Sequence, residues 1–277
     1  MRLSYFPYLG GKFYMLNKLL KLIPAHRIYV EVFGGSAKLL LNKEPAKIEV
    51  YNDLDRRIAN LFYTTTFKFN EFEEMVNRLI YSREIYNEIV NDINNAVVEE
   101  LGDVELAVKS YFKLHSTFSG QLSSKSWRTT FTKPLSREFF NNIDKLTLIH
   151  ERLKNVIIEC LDFRKLLKKY KDVEDAFIYV DPPYVGVPDY YGIKFTEQEH
   201  KDMLSLLKEV KGRWLLSGYA NPLYDEELKD FYRVEITQPK HSYALTETTK
   251  PKGNIKPLGT EILWANYNIE EMLNEKA

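Results

Sequence analysis

Apolar positions follow two rhythms along this chain, and both appear on either side of a long stretch that keeps only one of them. Near the N-terminus the stretch from Lys12 to Ile23 predicts a helix, with Phe13, Leu16, Leu19, Leu20 and Ile23 recurring at helical spacing and Pro24 as its stop. The run 28–33 is apolar apart from Glu31 and predicts a buried strand. A helix is expected to open at Ser36 and reach Asn42, followed by a strand over 47–51 and a helix over 55–66. From residue 70 to about 150 the alternation gives way to helical spacing, broken by a Ser/Thr-rich polar loop over 116–132. It returns with a strand at 156–160, a helix at 163–170 and a strand at 176–180. Thr196-Glu197-Gln198-Glu199 is a capping box that opens a helix to about Val210. A strand at 214–217, a helix at 222–231 and a late strand at 261–266 complete the reading. This pattern predicts an α/β domain of three layers, built from 1–66 and 151–277, with a small, mostly helical subdomain inserted at 67–150.

The length of 277 residues is enough for one sizeable core and a smaller unit. No apolar run approaches the ~18–20 residues of a membrane span. The opening Met1-Arg2-Leu3-Ser4-Tyr5-Phe6-Pro7 is too short and too aromatic for a secretory signal. The single cysteine, Cys160, excludes an internal disulfide and fits a reducing, cytoplasmic setting; it is expected as a core thiol. Formal net charge is zero, so affinity for nucleic acid must come from a local patch.

The sharpest chemical signal follows the strand at 176–180: Asp181-Pro182-Pro183-Tyr184. An exocyclic ring amine is a poor nucleophile because its lone pair is delocalised into the ring. A carboxylate and a rigid backbone carbonyl together accept its two hydrogens and draw the nitrogen toward a pyramidal, more nucleophilic geometry. The prolines fix the carbonyl of Pro182, since each sets its own φ and restricts the residue before it. Tyr184 offers a flat face to a base taken out of a duplex. The plainer alternative is a turn after a buried strand.

Other segments weigh against that alternative. Tyr8-Leu9-Gly10-Gly11-Lys12 precedes the first helix; Phe33-Gly34-Gly35-Ser36-Ala37 closes the first strand; Glu49-Val50-Tyr51-Asn52-Asp53 ends in an acid. In content and order these segments, with Asp181-Pro182-Pro183-Tyr184, resemble the DNA adenine-N6 methyltransferases (Dam-like, class D12, the α-ordered amino-methyltransferases). The resemblance covers most of the chain; the insertion and the last thirty or so residues match loosely. It implies a Rossmann-like S-adenosylmethionine-dependent methyltransferase sheet, with the insertion as a DNA-recognition subdomain. It also implies double-stranded DNA as partner and admits a cognate restriction endonuclease beside it. One departure stands out: the family's Phe-x-Gly-x-Gly ends here in Ala37, which keeps a small residue.

In an open α/β sheet, ligands bind beyond the carboxyl ends of the strands. Gly34 and Gly35 let backbone approach a ligand closely there, and Phe33 begins the motif. Absence of a following Gly-Lys-Ser/Thr disfavours a phosphate loop. Asp53, about 20 residues past the glycine turn, stands where a carboxylate accepts ribose hydroxyls; as a lone acid it equally suits an N-cap before Leu54-Asp55. A nicotinamide cofactor fits the same layout, but a dehydrogenase has no use for Asp181-Pro182-Pro183-Tyr184. The resemblance implies cofactor contacts for Tyr8, Lys12, Asp162, Phe163 and Asp181. By composition alone Lys12 reads as a surface lysine, and Asp162 as a helix N-cap. Glu31 inside an apolar strand is expensive unless partnered, either by the cofactor's amino group or by local backbone.

Between Glu105 and Glu138 the chain carries Lys109, Lys113, Lys125, Arg128, Lys133 and Arg137 and no acid, interleaved with Ser, Thr, Gln and aromatic residues. Basic groups neutralise phosphates, while Gln121 and Arg128 suit base edges. The alternative is a solvated face. A second basic stretch at 240–256 suits a loop over DNA, and Tyr190 and Tyr191 suit the wall of a base pocket. The expected function is methyl transfer from S-adenosylmethionine to adenine N6 of a flipped base, with Asp181, Pro182 and Tyr184 as its catalytic residues. A cytosine-N4 enzyme and a non-catalytic DNA-binding or cofactor-sensing module are the alternatives. The whole reading requires the glycine turn and Asp181 to meet in one pocket.

Overall fold

The computed structural model describes residues 2–8, 10, 12, 14–95, 99–186, 195–239 and 258–275. Seven strands form one mixed sheet: β1 (Ile28–Glu31), β2 (Ile48–Asn52), β3 (Val156–Glu159), β4 (Ala176–Val180), β5 (Arg213–Gly218), β6 (Tyr232–Pro239) and β7 (Leu258–Ala265). Their order is β3-β2-β1-β4-β5-β7-β6. The first five run parallel, and β7 is antiparallel to both neighbours. Every residue of β1 and β4 is buried, as expected of central strands covered on both faces.

The period of two in these strands divides the core. Tyr29, Tyr51, Phe177, Tyr179, Leu215 and Leu263 point to one face. Val30, Val50, Ile178, Val180, Leu216 and Trp264 point to the other. The first face is covered by α1 (Leu16–Lys21), α2 (Lys38–Asn42), α3 (Arg56–Phe67) and α12 (Ile269–Glu275). The second is covered by α9 (Phe163–Tyr170), α10 (Glu197–Lys208) and α11 (Pro222–Glu227). The capping box at Thr196 and Glu199 forms as its sequence requires.

Between α3 and β3 lie α4 (Phe69–Asn77), α5 (Arg83–Asn95), α6 (Val104–Ser116), α7 (Leu135–Ile143) and α8 (Leu146–Leu153). Phe72, Tyr86, Ile89, Tyr111, Phe112 and Phe139 of this segment join the same apolar core as Leu61 and Phe62 of α3. The polar loop contains one 3-10 turn, Phe118–Gly120. It is pinned by a bridge between Thr117 and Trp127, and Trp127 packs against Tyr81 and Tyr86.

Several expectations need correction. The first helix starts at Leu16 rather than at residue 12. The helix after β5 stops at Glu227 rather than 231, because Tyr232 is taken into β6. Sequence reading missed β6 and α12 altogether. Cys160 is not a core thiol: it follows β3, an edge strand, and is half-buried, with Sγ directed at the Leu54 carbonyl. Among the described residues no helix is long and apolar enough to cross a membrane.

Candidate active site

Chain direction places the site. From β1 the sheet grows through β2 and β3 on one side and through β4 and β5 on the other, so the carboxyl ends of β1 and β4 border the switch point where such sheets bind ligands. The strands are paired to their ends: Glu31 lies opposite Tyr179, and Val32 N–H donates to the Tyr179 carbonyl at 3.0 Å. Gly34-Gly35 and Asp181 therefore leave neighbouring strands at the same edge, as one shared pocket requires.

The glycine turn is filled by the protein's own aromatic rings. A Cβ on Gly34 would sit 2.1 Å from the Tyr51 ring. Gly35 has φ +48°, and a Cβ there would lie 2.7 Å from the Tyr8 ring. Tyr51 OH donates to the Gly35 carbonyl at 2.7 Å. Gly35 N–H donates to Asp53 Oδ2 at 2.8 Å, and Asp55 N–H to Asp53 Oδ1 at 2.8 Å. Burial first, and Asp55 second, push the Asp53 carboxyl up to about 7. The α3 N-cap is Asp55 rather than Asp53, so Asp53 ties the turn to the end of β2. Ala37 caps α2 in the left-handed region at φ 52°, a conformation glycine adopts without strain.

Asp181 stands in a dense polar corner. Its Oδ1 accepts from Ser217 Oγ at 2.8 Å, and lies 3.1 Å from the Tyr184 hydroxyl oxygen and 3.2 Å from Lys12 Nζ. Lys12 is not a surface lysine: it is buried, contacts the Tyr184 hydroxyl and lies over the Tyr184 ring at 4.5 Å. Glu261, near the start of β7, completes the corner. Its Oε2 accepts from Tyr184 OH at 2.8 Å and lies 3.6 Å from Lys12 Nζ; its Oε1 accepts from Tyr14 OH at 2.8 Å. Burial disfavours the Lys12 charge, but Asp181 and then Glu261 more than offset this and hold its pKa above the usual lysine range. Burial, reinforced by the two carboxylates, raises the Tyr184 phenol well above its ordinary value, so it remains a neutral donor. Tyr219 meets the Tyr184 ring edge-on at 4.5 Å. Glu261, Ser217 and Tyr219 were missed from sequence. The available signal was Glu261 itself, an acid opening an apolar strand.

The other candidates divide. Glu31 is buried, and its Oε2 accepts from Tyr29 OH at 2.7 Å and Leu40 N–H at 3.1 Å, so local groups already partner it; burial pushes its carboxyl up to about 8. Asp162 caps α9 through Arg164 N–H at 2.8 Å and pairs with the Arg164 guanidinium at 3.0 Å. Phe33 and Phe163 pack together at 5.7 Å, each also against Phe195. Pro182 is buried and Tyr184 partly so.

In the basic segment Lys125, Lys133 and Arg137 are exposed. Lys113 is fully buried in α6, which pulls its ammonium down to about 8, so it does not belong to an exposed basic surface. Lys109 is engaged by Asp92 at 2.7 Å and Glu105 at 2.5 Å, and Arg128 by Glu138 at 3.1 Å. Gln121 is half-buried at the end of the 3-10 turn. That turn touches the N-terminal segment so closely that a Cβ on Gly120 would lie 1.9 Å from the Pro7 carbonyl oxygen. The polar loop thus begins beside Tyr8, whose ring covers Gly35. Gly11, Tyr190, Tyr191 and the basic stretch at 240–256 lie outside the described residues.

Residues 8–245 match the family model of the D12 class N6 adenine-specific DNA methyltransferases. Modification methylase StsI of Streptococcus sanguinis is 24% identical over 309 aligned positions, covering 97% of this chain. The chain spans 44% of the length of that relative. Protein LPL1258 of Legionella pneumophila, known from a crystal structure, is 14% identical with a TM-score of 0.34, over 96% of this chain and 92% of the other.

Proposed function

This chain belongs to the D12 class N6 adenine-specific DNA methyltransferase family, and we propose that it transfers a methyl group from S-adenosylmethionine to the exocyclic N6 of an adenine flipped out of double-stranded DNA. The observation that carries this reading is the adjacency of the glycine turn and Asp181 at the β1–β4 switch point.

The donor set suits S-adenosylmethionine. Asp53 at the end of β2 is an acceptor for a ribose diol, and Lys12 is a cation for a carboxylate. The corner of Asp181, Glu261 and Lys12 carries one excess negative charge to face a sulfonium. Glu31, Phe33, Gly34, Gly35, Tyr8, Asp162 and Phe163 surround the same strand ends. The bound cofactor would supply a methyl group already activated on sulfur, so the protein's tasks are positioning and electrostatics.

Asp181 accepts one amine hydrogen of the target base and the Pro182 carbonyl the other, which concentrates the lone pair on nitrogen. Tyr184 presents its ring to the base, while its hydroxyl is anchored by Glu261 and Asp181. Asp181 need not act as a strong base, because the N–C bond would form as the S–C bond breaks, and the proton then leaves the methylated amine to water. Residues 67–150 serve as the DNA-recognition subdomain, with Lys125, Lys133 and Arg137 on phosphates and Gln121 and Arg128 toward bases. Base flipping costs a few kcal/mol, repaid by contacts in the pocket.

Incubation with methyl-tritiated S-adenosylmethionine and unmethylated duplex DNA tests the proposal. Label in DNA supports it. Cofactor and DNA binding without incorporation would leave only a binding module.

A further inference from the structure

We infer that Glu261 is a positioning residue of this site: it holds the Lys12 ammonium and the Tyr184 hydroxyl so that Asp181 keeps one carboxylate edge for the amine of the target base. The inference rests on the methyl-transfer reading above and assigns a role to a residue outside the Asp181–Tyr184 motif.

The geometry begins with strand direction. β7 runs opposite to its neighbour β5, so its first residues lie at the edge where β4 and β5 end. Glu261 is thereby brought to the Asp181 corner although it lies far along the chain. It is 4% exposed. A carboxylate buried this deeply is costly unless hydrogen-bonded and paired. Two phenols, Tyr14 and Tyr184, and the Lys12 ammonium meet that need.

The effect on Asp181 follows from its lone pairs. Among the described residues, Ser217, Tyr184 and Lys12 all reach Asp181 through Oδ1. Oδ2 is then the edge available to an incoming N–H. If Asp181 were the sole carboxylate in the corner, Lys12 would close onto it fully, and the acid would be spent on an ion pair. Glu261 draws the same ammonium toward β7, at 3.6 Å against 3.2 Å to Asp181. It also fixes the Tyr184 hydroxyl, and with it the tilt of the ring offered to the base.

The test uses the full chain with Glu261→Gln, Lys12→Gln and the double variant. Gln preserves size and an acceptor for the phenols but removes the charge. The first readout needs no ligand: the pH dependence of Lys12 acylation by acetic anhydride, followed by peptide mass spectrometry. Among the described residues, the groups that face Lys12 are Asp181, Glu261, Tyr184 and Tyr219, with Tyr14 on Glu261. Removing Glu261 leaves burial opposed by one carboxylate, so Lys12 in Glu261→Gln is labelled at lower pH than in the parent.

The second readout is the single-turnover rate of methyl transfer. Glu261→Gln slows it by about tenfold or more, the scale of losing a charge-assisted hydrogen bond. In the Lys12→Gln background it adds little. An unchanged labelling profile, or losses that simply multiply, would overturn the inference. If Glu261→Gln does not fold, Glu261→Asp withdraws the carboxylate while keeping its charge; transfer at the parental rate would then overturn it. A labelling shift in Glu261→Gln, beside a parent that transfers no methyl group, would instead refute the reaction and leave the hold of Glu261 on Lys12 standing.

Discussion

The Lys12 ammonium lies 3.2 Å from Asp181 Oδ1, joining the segment before the first helix to the acid after β4. The same ammonium also serves Glu261. Substituting Lys12→Met leaves the buried Glu261 and the partly buried Asp181 without their shared cation. A loss of about 3 kcal/mol is expected, as when one partner of a buried pair is removed. Urea denaturation at neutral pH measures it. The deficit should shrink in the Lys12→Gln, Glu261→Gln double variant, which removes both charges of one pair.

Gly34→Ala should be more damaging than Gly35→Ala. The new Cβ at 34 meets the buried Tyr51 ring at 2.1 Å, and Tyr51 cannot swing away without abandoning the Gly35 carbonyl. Overpacking of this kind costs about 1–3 kcal/mol. At Gly35 the contact is with the partly exposed Tyr8 ring, so left-handed strain of about 1–2 kcal/mol is the main cost. Thermal melts rank the two variants.

Glu31 links stability to pH with a definite sign. Its folded carboxyl is pushed up to about 8 by burial, while an unfolded glutamate titrates near 4 (about 4.3). The folded chain therefore holds the proton more tightly. The stabilising contribution of protonation is present at low pH and is lost as pH rises from about 4 to about 8. Both bonds to Glu31 fall on Oε2, and the one amide oxygen of Gln can accept both. Glu31→Gln should melt closer to the parent at pH 5 and gain on it at pH 8. Equal differences at both values would contradict the assignment.

The basic segment separates by burial. Combined loss of Lys125, Lys133 and Arg137, all exposed, should weaken duplex binding and lower the salt slope by roughly one per phosphate contact removed. Lys113→Met removes an ammonium already disfavoured by its burial. It should leave the salt slope unchanged. Fluorescence anisotropy across a salt series distinguishes them.

Residues whose environment is local were legible in the sequence. β4 and α9 begin and end where their patterns do, because a run buried on both faces and an amphipathic turn of a helix each carry their own period. Thr196 and Glu199 announced their helix by reciprocal capping. What escaped depends on partners distant in the chain. Among the described residues β6 pairs with β7 alone, and its alternation of Arg233, Val234, Glu235 and Ile236 directly follows a helical stretch. Glu261 gains meaning only from Lys12, Tyr14 and Tyr184. The glycine turn reads in sequence as a close backbone approach to a ligand; that the rings of Tyr51 and Tyr8 also occupy the space a side chain would need depends on the packing of distant residues. Lys113 shared a basic spacing with its neighbours, but its helix turns it inward.

Nucleoside analysis of duplex DNA after incubation with labelled S-adenosylmethionine and either the parent chain or Asp181→Ala bears most directly on the proposed reaction. The account predicts N6-methyl-2'-deoxyadenosine as the labelled product with the parent. With Asp181→Ala it predicts loss of that product while the variant still folds and binds the cofactor. Label in N4-methyl-2'-deoxycytidine, or N6-methyl-2'-deoxyadenosine formed by Asp181→Ala at the parental rate, would contradict it.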